Sequence, residues 1–267
     1  LGLTLGLLIS TLYLVVINYV YYPQLIFSKY AKGELSNEII HQIKKYSLPL
    51  FFLGIAGLLY QSSDRLLVAQ FSHGGMSQLG YLGMAQRIIG LVTIALSGLF
   101  TVWGVKSFED YSDEILIKEK EKLIIMMLAV LIVVVVALYV FKPIIITYLL
   151  TDNYKDAFPI SVLLLATFVN NRIREILEKY FLRKGHTKLI SNIFVLFGFL
   201  SISLSAFILY YSSLENMLIF RMITTLLHAI TLGILLRLNL QKINPLLFLV
   251  NISLSIIVIV IMKMNWM

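Results

Sequence analysis

The apolar residues of this chain fall in long, nearly unbroken runs that end at short polar segments. A transmembrane helix needs about 20 predominantly apolar residues. Runs of that length occur at roughly 1–22, 47–71, 79–105, 122–141, 157–178, 189–211, 216–236 and 245–264. The pattern predicts an all-α integral membrane protein, a polytopic transmembrane helix bundle of about eight spans.

Composition supports this interpretation, because 59% of residues are hydrophobic and only 13% are charged. Soluble domains contain about 45–50% apolar and about 25% charged residues. The net charge of +8 does not indicate nucleic-acid binding, since the basic residues lie mostly in short loops between apolar runs. The chain has no cysteine, which excludes disulfides and thiolate metal sites.

The basic residues between spans are distributed unequally, with thirteen on one predicted side of the membrane and three on the other. Short cytoplasmic loops carry the excess of lysine and arginine, so the first group is predicted to be cytoplasmic. The first group is Lys29, Lys32, Lys44, Lys45, Lys106, Lys118, Lys120, Lys122, Arg183, Lys184, Lys188, Arg237 and Lys242, and the second is Lys142, Lys155 and Lys263.

Several charged residues lie inside the apolar runs, at Asp64, Arg65, Arg87 and Arg221. Ionisable groups in lipid are costly and normally face a protein or aqueous interior, where they mark a pathway. Counting 1.5 Å per residue places Asp64, Arg87 and Arg221 about 9–12 Å from the outer ends of their helices, in one cationic layer. The alternative is a structural lock in which Asp64 pairs with Arg87 or Arg221.

The span at 157–178 ends in a polar segment that begins at Asn170. Arg172 lies deep enough to face an interior cavity, whereas Arg174 to Lys179 also fit a solvated helix end neutralised by i,i+4 pairs. His228 lies in a later span and is a weak candidate for ion coupling, as is Asp64. A hydrogen-bonded packing role is the alternative for His228.

A set of motifs follows a basic amphipathic linker in a fixed order. Tyr46-Ser47-Leu48-Pro49-Leu50 comes first, then Asp64-Arg65, then Gly80-Tyr81 ahead of a helix rich in small residues. This order resembles the start of the second lobe of the Wzx-type O-antigen and oligosaccharide-repeat-unit flippases. Their superfamily also holds the MATE multidrug exporters and the lipid II flippases.

The resemblance implies the second lobe of a two-lobed MATE-like transporter. Residues 1–27 would be the last helix of the N-terminal lobe and 28–45 a cytoplasmic amphipathic linker. Residues 46–237 would form the C-terminal six-helix lobe, and 238–267 an additional peripheral transmembrane helix. The chain begins at Leu1 inside an apolar run, and the resemblance predicts a C-terminal fragment of a longer protein.

The resemblance also implies function: alternating-access translocation of an undecaprenyl-diphosphate-linked oligosaccharide repeat unit across the bacterial cytoplasmic (inner) membrane. Asp64, Arg65, Arg87, Arg172 and Arg221 would line the substrate cavity, because arginine suits bidentate capture of phosphate or carboxylate. The expected partners are the lipid-linked oligosaccharide, membrane lipids and other polysaccharide-assembly membrane proteins. No cofactor, no metal and no enzymatic activity are expected.

Two alternatives stay open. A drug or cation exporter of the same superfamily would need a carboxylate-rich cavity, and only Asp64, Glu175 and Glu178 are candidates inside spans. A membrane enzyme such as an O-antigen polymerase is the other alternative. The chain contains no recognised catalytic motif, and its longest predicted outer loop, at about 142–156, is short.

Overall fold

A computed structural model describes residues 37–106, 113–150, 152–240 and 244–266. About 94% of these residues are helical, and none of them lies in a β-strand. The seven long helices are α1 (Asn37–Phe71), α2 (Gly75–Lys106), α3 (Asp113–Val140), α4 (Ala157–Arg183), α5 (Thr187–Tyr211), α6 (Leu214–Leu240) and α7 (Leu246–Trp266). The predicted span at 1–22 lies outside the described residues, and each of the other seven predicted spans corresponds to one of these helices.

Two short connections contain glycines that need a left-handed backbone. Gly75 has a φ of 50° in the turn between α1 and α2, and Gly185 has a φ of 77° between α4 and α5. Glycine adopts this region without the steric cost that a Cβ atom brings. The α3–α4 connection is longer and consists of the helical turn Lys142–Ile144, the π-helical Ile145–Leu150 and the 3-10 turn Asp152–Tyr154.

Five stretches in the described part of the chain are long and apolar enough to cross a membrane. They are Gly75–Gly104, Ile117–Val140, Thr187–Tyr211, Leu214–Leu238 and Leu246–Lys263. The long helices α1 and α4 are not among the five, since each carries a polar and charged segment within an otherwise apolar helix. Five such helices indicate a multi-pass membrane protein.

The central helix of the bundle is α4, which packs against α2, α3, α5, α6 and α7. Its apolar first half is buried on several faces, as at Val162, Leu163, Leu165 and Ala166. Helices that are surrounded on all sides are apolar all round, which explains this half. Its second half is also largely buried but carries charged side chains, so those charges must be neutralised inside the bundle.

The chain divides into two units, Leu1–Ser47 and Leu48–Met267. Within the second unit, α1 makes no extensive backbone packing with any other described helix. Side chains hold this part of α1 in place. Leu67 and Val68 are buried in the apolar core, Asp64 contacts Arg221, and Arg65 contacts Gln86. The attachment of α1 therefore depends on a small number of side chains.

Packing between α6 and α7 depends on Gly233. A Cβ atom at this position would lie 2.1 Å from Cζ of Phe248, so the ring would have to move. We expect Gly233→Ala to destabilise the protein by about 1–3 kcal/mol, the usual cost of overpacking. Thermal unfolding in detergent measures this effect.

Gly98→Ala in α2 is the matched control, because a Cβ atom there meets nothing within 4 Å. That variant is expected to be neutral or slightly more stable, since alanine favours a helix over glycine by roughly 0.8–1 kcal/mol. Equal melting temperatures for the two variants would contradict the close α6–α7 contact.

Candidate functional site

Three cavities lie in a row along one side of α2. Their volumes are about 520, 460 and 270 Å³, in order from the Gly75 end of the helix to the Lys106 end. Gln86 lines both the first and the second cavity, and Thr93 and Phe168 line both the second and the third. Because neighbouring cavities share wall residues, they follow one another along the helix, and we call this row of three cavities the α2 groove.

The α2 groove follows a stripe of small and polar residues on α2. Gly80, Gly83, Gln86, Gly90, Thr93, Ser97 and Thr101 line it. Residues three or four apart share one face of a helix, so the stripe is straight. From Gly80 to Thr101 it rises about 32 Å at 1.5 Å per residue, close to the roughly 30 Å hydrocarbon core of a bilayer.

The hydroxyl groups of this stripe donate to the backbone of α2 itself. Thr93 Oγ1 donates to the carbonyl of Ile89 at 3.1 Å, and Thr101 Oγ1 donates to that of Ser97 at 3.0 Å. Ser97 Oγ similarly donates to the carbonyl of Ile94 at 2.7 Å. Each hydroxyl oxygen keeps its lone pairs and can still accept a hydrogen bond from a molecule in the groove.

The first cavity contains two arginines, Arg65 and Arg87, beside Tyr154. Arg65 donates from Nε and Nη2 to Oε1 of Gln86, at 2.9 and 2.6 Å. Arg87 is exposed, and its Nη1 atom lies 3.8 Å from Sδ of Met84. Neither arginine forms an ion pair with a residue in the described part of the chain, so both charges are available to an anion.

The second cavity has an ion pair in its wall. Asp64 Oδ1 lies 3.1 Å from Nη1 of Arg221, whose side chain is only 3% exposed. The same nitrogen donates to Ser63 Oγ at 3.0 Å, and Nη2 donates to the carbonyl of Tyr60. The guanidinium also lies over the Tyr60 ring, 3.9 Å from its centroid. Arg221 is therefore held by three residues of α1.

The third cavity, which we call the Trp103 cavity, combines charges with aromatic walls. Arg172 Nη1 lies 2.5 Å from Oε2 of Glu175. The Lys179 ammonium lies 4.8 Å from the centroid of the Trp103 ring. Phe100 and Phe168 complete the aromatic wall, each about 5 Å from the Arg172 guanidinium carbon.

Beside the groove lies a buried charged cluster that no cavity of the groove reaches. Arg174 Nη1 is 3.2 Å from Oε1 of Glu178, and both side chains are 9% exposed. His228 Nε2 lies 3.8 Å from the same oxygen, and its ring stacks on Phe197 at 4.6 Å. The interpretation of this segment as a solvated helix end is therefore wrong for Arg174 and Glu178, because α4 is surrounded by other helices at this point.

The structure distributes the residues predicted to line a substrate cavity over the three cavities of the α2 groove. Asp64 contacts Arg221, which is one of the two pairings predicted as alternatives, and Arg65 shares the first cavity with Arg87. Arg172 lines the Trp103 cavity. His228 does not line the groove. It lies beside Glu178 in the buried charged cluster.

The charged residues that line the α2 groove leave an excess of three positive charges. Five are basic, namely Arg65, Arg87, Arg172, Lys179 and Arg221. Two are acidic, Asp64 and Glu175, and each of these contacts an arginine. The described lining thus favours an anionic occupant over a cationic one.

Comparisons of the chain with protein-family models, with curated proteins and with solved structures find no match. The resemblance to Wzx-type flippases accordingly rests on the ordered motifs between Tyr46 and Tyr81. The α2 groove and its charges are therefore the features that bear on function.

Proposed function

We propose that this protein is a transporter that flips an undecaprenyl-diphosphate-linked oligosaccharide across the bacterial cytoplasmic membrane. The observation that carries the proposal is the α2 groove, which carries polar side chains in each of its three cavities, has an excess of positive charge and is about as long as a bilayer is thick. A polar headgroup cannot cross hydrocarbon without losing its hydrogen bonds to water, and each unsatisfied polar group costs several kcal/mol. The groove offers such a headgroup replacement partners at each depth.

The position of the groove also suits a substrate with a lipid tail. Only 11% of the most apolar window of α2 is buried, so much of this helix faces outward. Leu91 and Leu99 are exposed apolar residues on α2 that do not line the groove. An occupant of the groove can therefore keep its hydrocarbon tail in lipid while its headgroup contacts the polar stripe.

Charge argues against a drug or cation exporter. Such a protein would offer carboxylates to its substrate, but Asp64 and Glu175 in the groove are each paired with an arginine. The lining residues without an ion pair in the described part of the chain, Arg65, Arg87 and Lys179, are all basic. Arginine binds phosphate oxygens through two parallel hydrogen bonds, which fits a diphosphate headgroup.

Alternating access needs one element that can move against the rest. The part of α1 from Leu48 onward is the best candidate, because its backbone packs against no other described helix extensively and two polar contacts contribute to its attachment. Separation of Asp64 from Arg221 would release it. We propose that this ion pair is closed in one state of the transport cycle and open in another.

Substitution of the arginines tests the proposal. We expect surface polysaccharide in a strain that depends on this protein to fall in the order wild type, Arg87→Lys, Arg87→Ala, because lysine keeps the charge but loses the two-point contact. Membrane abundance should stay unchanged, since Arg87 is exposed. The same order is expected at Arg172.

Arg237 is the matched control, being an exposed arginine of α6 that does not line the groove. Arg237→Ala should export normally. Normal export by both Arg87→Ala and Arg172→Ala would contradict the proposed cationic path.

A further inference from the structure

The Trp103 cavity has features that a lipid diphosphate alone would not use. Three aromatic side chains, Phe100, Trp103 and Phe168, form its wall beside the hydroxyls of the α2 stripe. Binding sites for organic molecules are mainly apolar, with a small number of convergent polar groups that fix orientation. The composition of this wall therefore indicates an organic ring rather than a bare ion.

The size of the cavity matches a single ring. Its volume is about 270 Å³, below the roughly 300–1,000 Å³ of pockets that enclose drug-sized molecules. A pyranose ring has apolar C–H faces that can pack on aromatic rings and hydroxyl groups that can donate to Thr93, Ser97 and Thr101. One monosaccharide ring matches both the size and the lining.

The charge of the cavity specifies the substituent on the ring. Arg172 and Lys179 carry two positive charges, and Glu175 carries one negative charge. The excess of one positive charge balances a single carboxylate. In addition, the Nε atom of Arg172 is buried and has no hydrogen-bond partner among the described residues.

A phosphate group fits the same cavity less well. It carries close to two negative charges at neutral pH, which the excess of one positive charge does not balance. Glu175 repels any anion, a sugar carboxylate included, but it can also accept hydrogen bonds from the hydroxyl groups of a sugar acid. Phosphate also gains nothing from the aromatic wall.

Gly104 makes room for the lysine of this cavity. A Cβ atom at position 104 would lie 2.7 Å from the Lys179 Nζ atom, so alanine would push the ammonium away. In the structure, the ammonium approaches α2 at the position where the helix has no side chain and lies over the Trp103 ring. Gly104 and Lys179 thus build the cationic side of the cavity together.

We propose that the Trp103 cavity binds one acidic pyranose ring, a hexuronic acid, with its carboxylate at Arg172 and Lys179 and its ring against Phe100 and Trp103. Under the proposed function, this ring belongs to the oligosaccharide that the protein transports. The cavity then contributes to the choice of repeat unit, since it accepts a sugar acid in preference to a neutral sugar.

The two tryptophans of the chain, Trp103 and Trp266, allow a direct binding test. In a Trp266→Phe variant of the whole chain in detergent micelles, Trp103 is the sole tryptophan. Titration with D-glucuronate should produce a saturable change in emission. D-glucose should need a roughly ten- to hundredfold higher concentration, because it lacks the charge-assisted hydrogen bonds. Inorganic phosphate should also bind more weakly than glucuronate.

Two substitutions should weaken glucuronate binding in this background by about tenfold or more, Lys179→Ala and Gly104→Ala. The matched controls should leave glucuronate binding unchanged. They are Lys188→Ala, at an exposed lysine outside the cavity, and Gly98→Ala, where a Cβ atom meets nothing within 4 Å. An unchanged elution volume and melting temperature for Gly104→Ala shows that any loss is not a loss of fold.

Equal responses to glucose and glucuronate, a phosphate response as strong as that of glucuronate, or no saturable response would each overturn the sugar-acid site. The export assay separates this inference from the proposed function. Glucuronate binding together with normal export by Arg87→Ala and Arg172→Ala would keep the site and reject the cationic transport path. Loss of export by those two variants, without any glucuronate binding by the protein, would reject the sugar-acid site and keep the cationic transport path.

Discussion

Gly90→Phe is expected to abolish export while membrane abundance stays at the wild-type level. Gly90 lies at the middle of the α2 groove, in the wall of the 460 Å³ cavity. A Cβ atom added there meets nothing within 4 Å, and the cavity beside it offers space for a larger side chain. The phenylalanine ring would then occupy the path that the headgroup must take.

Gly98→Phe provides a control on the same helix. Gly98 is also a position where a Cβ atom meets nothing within 4 Å, but it lines none of the three cavities. Both substitutions change helix propensity equally, since both replace glycine with phenylalanine. Surface polysaccharide normalised to membrane abundance should therefore separate them clearly. Normal export by Gly90→Phe would show that the groove is not the route.

The helices could be predicted from the sequence because the bilayer sets their length. An apolar run of about 20 residues is the length that a helix needs to cross a bilayer. Each predicted span from residue 47 onward corresponds to a helix. The glycine turn at Gly74–Gly75 was predictable for a similar local reason. Such features depend on neighbouring residues along the chain.

The α2 groove could not be predicted in the same way, because its walls come from residues far apart in the sequence, on α1, α2, α4 and α6. The sequence does contain a signal, the small and polar residues at Gly83, Gln86, Gly90, Thr93 and Ser97, spaced three or four apart. Such a stripe fits both a groove and a close helix–helix contact. The distance between α2 and the helices that face it decides whether the stripe lines a groove or a close contact.

Charge partners were equally ambiguous. Depth along each helix placed Arg87 and Arg221 equally well beside Asp64, because depth does not specify which way a side chain points around the helix. The pairing with Arg221 follows from the rotation of α6 against α1. Likewise, Arg174 and Glu178 have the same i,i+4 spacing whether water or protein surrounds them, and the burial that α4 receives from its neighbours determines which applies.

The Asp64–Arg221 pair is expected to dominate the stability of the α1 attachment. Breaking a buried ion pair by removing one partner costs about 3–5 kcal/mol, because the other charge is left uncompensated. Asp64→Asn should therefore lower the free energy of unfolding by about that amount, since the Arg221 side chain is 3% exposed. Denaturant or thermal unfolding in detergent micelles measures the loss, and limited proteolysis should show α1 cut first.

The double variant Asp64→Asn/Arg221→Gln should recover much of the lost stability, since it leaves no unpaired charge. A double-mutant cycle isolates the coupling between the two residues, and we expect it to exceed about 1 kcal/mol. Asp64→Asn combined with Arg87→Gln is the matched comparison and should be additive, because Arg87 is exposed and lines a different cavity. Additive losses for the Arg221 pair would mean that the contact does not hold α1, and coupling to Arg87 instead would place the alternative pairing in the folded protein.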